Sequence, residues 1–186
     1  MRKNSTLFLI LGIVLFLIIG YAYYHNTFVT MEEEIDGKWA EVENNLQRRA
    51  DLIPNLVATV KGDAGHEEKV FTEIAQARSR LLGAQGVEDK INASAQMESA
   101  LGRLLMVVEQ YPQLKADQRF AELQDELAGT ENRLSVSRLR YNETVKTYNA
   151  RIRRLPGSII AGIMGLEKRE YFQIEEKAGE APKVEF

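Results

Sequence analysis

Apolar residues fall in two patterns along this chain. From Leu7 to Tyr24, LFLILGIVLFLIIGYAYY runs without a charged residue. About 20 residues at 1.5 Å each cross a bilayer, so the run predicts a transmembrane helix. Beyond it, apolar positions recur at helical spacing between charged ones. Ile35, Val42, Arg49 and Leu56 repeat every seven residues, as do Trp39, Leu46, Ile53 and Val60. Together they predict a helix with a coiled-coil-like seam. No proline or glycine lies between Tyr24 and Ile35, so this helix is expected to continue directly out of the membrane. Lys61-Gly62-Asp63-Ala64-Gly65 ends or bends it.

Three more helices follow. Residues 66–82 carry Val70, Ile74, Ala77 and Leu81, and the GAQG stretch at 83–86 reads as a loop. Residues 88–111 carry Met97, Leu101, Leu104, Val108 and Tyr111, and stop before Pro112. The longest, 116–154, has an apolar stripe of Phe120, Leu127, Leu134, Tyr141, Tyr148 and Leu155. Leu123, Thr130 and Ser137, then Val145 and Ile152, accompany it, and Pro156-Gly157 stops it. Nowhere do apolar residues alternate between turn signals, so no strand is expected. The fold class is all-α: an N-terminal transmembrane helix followed by a long antiparallel four-helix-type bundle. The divisions are a flank at 1–6, the anchor at 7–24, the bundle at 25–155, a short apolar segment at 156–172 and an acidic tail at 173–186 expected to be disordered.

The anchor competes with a cleaved signal peptide, for which Gly20-Tyr21-Ala22 offers a small-x-small site. The run exceeds a usual signal core, and Tyr21, Tyr23 and Tyr24 form a membrane-interface belt, both of which favour a retained anchor. Arg2 and Lys3 precede the span, while Glu32, Glu33 and Glu34 follow it before the first basic residue, Lys38. The positive-inside rule then leaves the N-terminus in the cytoplasm. It puts residues 25–186 outside, and in a bacterial cell that would be outside the inner membrane, in the periplasm of a diderm.

Charge and chemistry narrow the function further. A formal charge of −3 argues against bulk attraction to nucleic acid. Without cysteine there is neither a disulfide nor a lipid-modified cysteine. His66-Glu67 opens HEEKV, but a zinc-binding HExxH needs a second histidine where Val70 stands. No phosphate-cradling glycine motif occurs, and no serine or threonine has a histidine arranged to activate it. Neither an enzyme, a cofactor nor a small-molecule substrate is indicated.

RRADLIPNLVATVKG, residues 48–62, places charges and a proline inside the first seam. Pro54 removes its own N–H and clashes with the carbonyl of Ala50, at a cost of about 3 kcal/mol or more. Either the helix kinks there, or Asp51 caps a new segment with Pro54 in its first turn. Freed backbone groups around 50–54 then need partners, and Asn55 is suited to supply one. Arg49 occupies the seam itself, and Glu131 and Arg138 precede Val145 and Ile152 in a stripe of the fourth helix. The expectation is a polar layer that serves as a register or partner contact, with Arg49 paired to Glu131 and Asp51 to Arg138. The rival reading is that these long side chains reach solvent from the seam's edge. SIIAGIMGL, 158–166, is too short to span a membrane. Its Ile159, Ile160 and Ile163 would meet lipid or a second subunit, or would fold back onto the bundle end.

These residues also resemble a family. The run Arg49-Ala50-Asp51-Leu52-Ile53-Pro54-Asn55-Leu56-Val57 is followed by His66-Glu67, Tyr111-Pro112-Gln113-Leu114-Lys115-Ala116 and Glu131-Asn132-Arg133. Then come Arg140-Tyr141-Asn142, Tyr148-Asn149, Pro156-Gly157 and Tyr171-Phe172. In this order they resemble the LemA family of bacterial membrane proteins over about residues 33–172. Asp63 departs from the aromatic residue usual there. The resemblance implies a single-pass membrane protein with a long helical bundle. Two functional classes fit: a self-assembling scaffold that shapes or organises the membrane, or an adaptor for another envelope protein such as a membrane protease.

Overall fold

The computed structural model describes residues 2–63 and 67–173. His66 and most of the acidic tail, 174–186, lie outside them. Six helices account for most of the described chain: α1 Arg2–Asp63, α2 Glu68–Gly83, α3 Gly86–Val108, α4 Pro112–Lys115, α5 Gln118–Arg153 and α6 Gly157–Met164. No strand occurs among the described residues. The expected run-on of the first helix is found, since α1 continues without interruption from the apolar stretch through the seam. Residues 158–166 are largely helical, as α6, and the loop expected at 83–86 is confined to Ala84 and Gln85. The short α4, which Pro112 opens at its first turn, carries no periodic signal because one turn cannot show a period.

Two helix ends have specific local causes. Asp117 Oδ1 accepts the Phe120 N–H at 3.0 Å, so Asp117 caps α5. α6 ends at Gly165, with φ +67°, where the Leu166 N–H reaches the Ala161 carbonyl at 2.9 Å and the Gly165 N–H reaches Gly162. That is a Schellman stop, and its left-handed residue is where glycine is favoured.

The chain forms two compact units. One comprises Met1–Trp39 and Arg140–Tyr171, the other Ala40–Leu139 and Phe172–Phe186. The second unit is a four-helix bundle of α1, α2, α3 and α5, with α4 joining the last two. Val42, Leu46, Ile53, Leu56 and Val60 of α1 are buried there with Ile74, Leu81, Met97, Leu104, Leu114, Phe120 and Leu134. α1 and α5 run antiparallel, since Asn45 meets Ser137 and Arg49 meets Glu131. α2 and α3 run antiparallel as well, Glu73 facing Arg103 and Arg80 facing Gln96.

The first unit holds the apolar end of α1 and pairs its later part with α5. Tyr24 lies under Arg151, Glu32 beside Tyr148, and Trp39 against Tyr141, which again is antiparallel. Phe28, Ile35, Tyr141, Val145 and Tyr148 form its core. Leu155, the last member of the expected α5 stripe, is instead 77% exposed, because α5 has ended at Arg153 and the stripe has lost its helix.

Candidate functional site

In the four-helix unit the seam positions place charge in the core. Arg49 is 5% exposed, and its Nη1 lies 2.6 Å from Glu131 Oε2. The contact is an ion pair without hydrogen-bond geometry: both atoms lack a hydrogen-bond partner among the described residues. Arg138 Nη1 lies 3.6 Å from the other Glu131 oxygen, and its Nη2 donates to the buried Ser94 hydroxyl at 3.3 Å. Two guanidiniums thus share one carboxylate. Burial lowers the Arg138 pKa from its ordinary value; Glu131 opposes that, and the charge of Arg49 adds to it. Arginine stays protonated regardless, so the layer can fix register and hold charge but cannot shuttle protons. Phe172 covers Arg138, with the guanidinium carbon 4.7 Å from its ring centroid.

Three expectations about this region are corrected. Asp51 does not meet Arg138. It faces the other side of α1, where it accepts from Gln47 at 3.0 Å and lies 3.7 Å from Arg78. Nor does Asp51 start a new segment, because α1 runs through it with Pro54 inside the helix. Asn55 is exposed and does not serve the freed backbone. That task falls to Arg78 of α2, whose Nε donates to the Ala50 carbonyl at 2.8 Å. Pro54 has no N–H to offer that carbonyl, four residues back, and Ala50 is fully buried. A charged donor from a neighbouring helix therefore replaces the missing helical bond. Arg78 was not foreseen, since nothing in the spacing of α2 sets it apart from other arginines.

In the unit that holds the apolar end of α1, the segment after α6 is held by side chains of α5. Asn149 pairs with the Arg169 backbone twice: its Nδ2 donates to the carbonyl at 2.9 Å and its Oδ1 accepts the N–H at 3.0 Å. Tyr141 donates to the Glu170 carbonyl at 2.9 Å. Arg169 reaches Glu32 at 3.3 Å. Burial raises the Tyr141 pKa to about 12 and raises that of Tyr148, where the adjacent Glu32 carboxylate acts in the same direction. Gly157 makes the closest approach. A Cβ there would lie 2.7 Å from the Arg151 carbonyl, so only glycine lets α6 start this close to the last turn of α5, with the Phe28 and Tyr24 rings of α1 in ordinary contact at 3.4 and 3.5 Å.

α6 thereby rests beside Tyr24 and Phe28, at the end of the charge-free run. Ala161 is buried, Ile160 is half-buried, and Ile159 and Ile163 are 60% and 67% exposed. Tyr21 and Tyr23 are also exposed. Among the described residues, no group of three or more His, Asp or Glu side chains is arranged to hold a metal.

Fold and surface together define a helical protein in which, among the described residues, one helix is long and apolar enough to cross a membrane. The chain belongs to the LemA family, whose sequence model matches residues 38–186. It is 31% identical to magnetosome protein MamQ 2 of Paramagnetospirillum magneticum, over 86% of this chain and 68% of that protein. It is 29% identical to magnetosome protein MamQ of Magnetospirillum gryphiswaldense over the same shares. Protein LemA of Metamycoplasma hominis is 24% identical, over 91% of this chain and 78% of its own. None of these names is that of an enzyme.

Proposed function

We propose that the protein is a non-enzymatic, membrane-anchored helical scaffold that self-assembles in the bacterial envelope and organises the membrane around it. One observation carries this reading. The apolar stretch of α1 is wholly exposed and runs on without a break into a bundle helix, while Ile159 and Ile163 stay uncovered beside its end. The names of the MamQ relatives, proteins of a magnetosome, accord with a role at a membrane. In this reading the anchor sits in the inner membrane, with the N-terminus cytoplasmic and the bundle outside. An alkaline phosphatase fusion at Phe186 tests that orientation, and an inactive fusion reverses it.

Self-assembly is tested by electron microscopy and sizing of the full chain extracted in mild detergent. A symmetric multi-subunit particle is expected. Replacing Ile159, Ile160 and Ile163 with aspartate should disperse it, because charge on an apolar contact costs several kcal/mol. Identical monomers from both proteins would overturn the scaffold. An adaptor is the second reading, favoured by Val136 and Leu139, which are exposed one helical turn apart on α5.

A further inference from the structure

The α5–α6 corner places a set of basic side chains at the level where the span ends. A cleft of about 650 Å³ in the unit that holds the apolar end of α1 is lined by Tyr24, Glu143, Lys146, Arg151, Arg154 and Leu155 among others. Arg151 stacks over the Tyr24 ring, its guanidinium carbon 5.4 Å from the centroid, and its Nε is buried without a hydrogen-bond partner among the described residues. Lys146, Arg151 and Arg154 have no carboxylate within ion-pair distance among the described residues. Elsewhere the basic side chains are commonly matched: Arg48 with Glu126, Lys90 with Glu43, Arg103 with Glu73 and Arg169 with Glu32. Leu155 on the cleft wall and Ile159, two residues beyond the lining Gly157, are both strongly exposed.

We infer that this cleft binds the phosphate of an anionic phospholipid in the bilayer that holds α1. Its charge is complementary to a phosphate, and three flexible cations supply several donors to its oxygens. Its location is at headgroup depth, because Tyr24 closes the apolar run and also forms the cleft wall. Its flank is apolar, so acyl chains leave the headgroup along Leu155 and Ile159 rather than into water. A free phosphate would use the cations but leave that flank bare. Glu143 also lines the cleft, so three cations share it with one carboxylate and the net charge there is positive. The inference rests on the membrane anchoring proposed above but not on self-assembly.

Native mass spectrometry of the full chain in mild detergent tests it, since one spectrum reads both bound lipid and subunit number. Wild type is titrated with phosphatidylglycerol and, separately, with phosphatidylcholine. Each basic group at a membrane surface strengthens attraction to anionic lipid by roughly five-fold, so retention should favour phosphatidylglycerol at least several-fold. The triple variant Lys146→Gln, Arg151→Gln, Arg154→Gln should bind both lipids alike while keeping its helical circular dichroism. A second triple, Lys69→Gln, Arg119→Gln, Arg133→Gln, removes the same charge from exposed positions of the four-helix unit and should keep the preference. Equal retention of the two lipids by wild type, or equal loss in both triples, overturns the site. So does displacement of the bound lipid by inorganic phosphate at matched concentration, which would make free phosphate the occupant. Loss of the preference with an unchanged subunit number separates this site from the scaffold reading.

Discussion

The bond from Arg78 to the Ala50 carbonyl gives a stability experiment with an internal control. Arg78→Met removes a charged donor that lies 2.8 Å from a buried carbonyl but keeps most of the apolar stem. A hydrogen bond to a charged group contributes about 1.5–3 kcal/mol, and leaving the buried acceptor unpaired puts the loss in the upper half of that range. Arg78 also lies 3.7 Å from Asp51, but both side chains are substantially exposed and that pair contributes less than about 1 kcal/mol. The control is Pro54→Ala, which returns an N–H to the position four residues beyond Ala50. In that background the helix can satisfy its own carbonyl, so Arg78→Met should cost only about 1 kcal/mol or less. The expected coupling between the two positions is about 1–2 kcal/mol. Hydrogen exchange resolved to peptides of α2 and α3 reads it locally, and both helices lie within one unit. Coupling under roughly 0.5 kcal/mol would refute the account. Arg78 would then act by packing its stem.

The charged layer gives a second cycle. Arg49→Met should cost about 1–3 kcal/mol, less than a fully buried pair because Glu131 is 35% exposed. With Glu131→Gln the two should couple by more than about 0.5 kcal/mol in the same exchange assay, and additivity would mean that the charges act separately. Tyr141 sets an alkaline limit. Its folded pKa is raised to about 12, so the neutral phenol is favoured in the native state. Its contribution, at most about 2–3 kcal/mol, is full below pH 10 and falls as pH rises towards 12. Tyr141→Phe should flatten the dependence of the urea midpoint on pH over that window. A single phenolate absorbance step near pH 10 for all seven tyrosines would sink the idea.

Periodicity made the helices legible because a buried helical face must repeat. Ile35, Val42, Leu46, Ile53, Leu56 and Val60 are all buried where the seam placed them, and so is Arg49 among them. The same reasoning failed at Asp51 for a physical reason. A residue two positions from Arg49 lies well round the helix from it, so two charges in one motif need not join one layer. Arg78 and the basic corner were hidden differently. Lys146, Arg151 and Arg154 look like solvated charges on a long helix, and only the return of α6 onto Tyr24, permitted by Gly157, gives them a shared cleft.

The extended segment after α6 explains motif residues that the helical pattern could not. Its backbone groups have no ladder or helix to enter, yet its carbonyls at Arg169 and Glu170 must find donors where they pass α5. Helix backbone cannot serve, being satisfied internally, so side chains must. Asn149 can both donate and accept, and it takes the N–H and the carbonyl of one residue as a neighbouring strand would. Tyr141 is long enough to stay in the apolar stripe and still reach the Glu170 carbonyl with its hydroxyl. Phe172 then lies over Arg138, giving a half-buried cation an aromatic face where its carboxylate is already shared with Arg49. The polar members of the α5 stripe therefore have two separate purposes. Glu131 and Arg138 hold charge inside the four-helix unit, while Tyr141 and Asn149 hold the returning chain in the unit that carries the apolar end of α1.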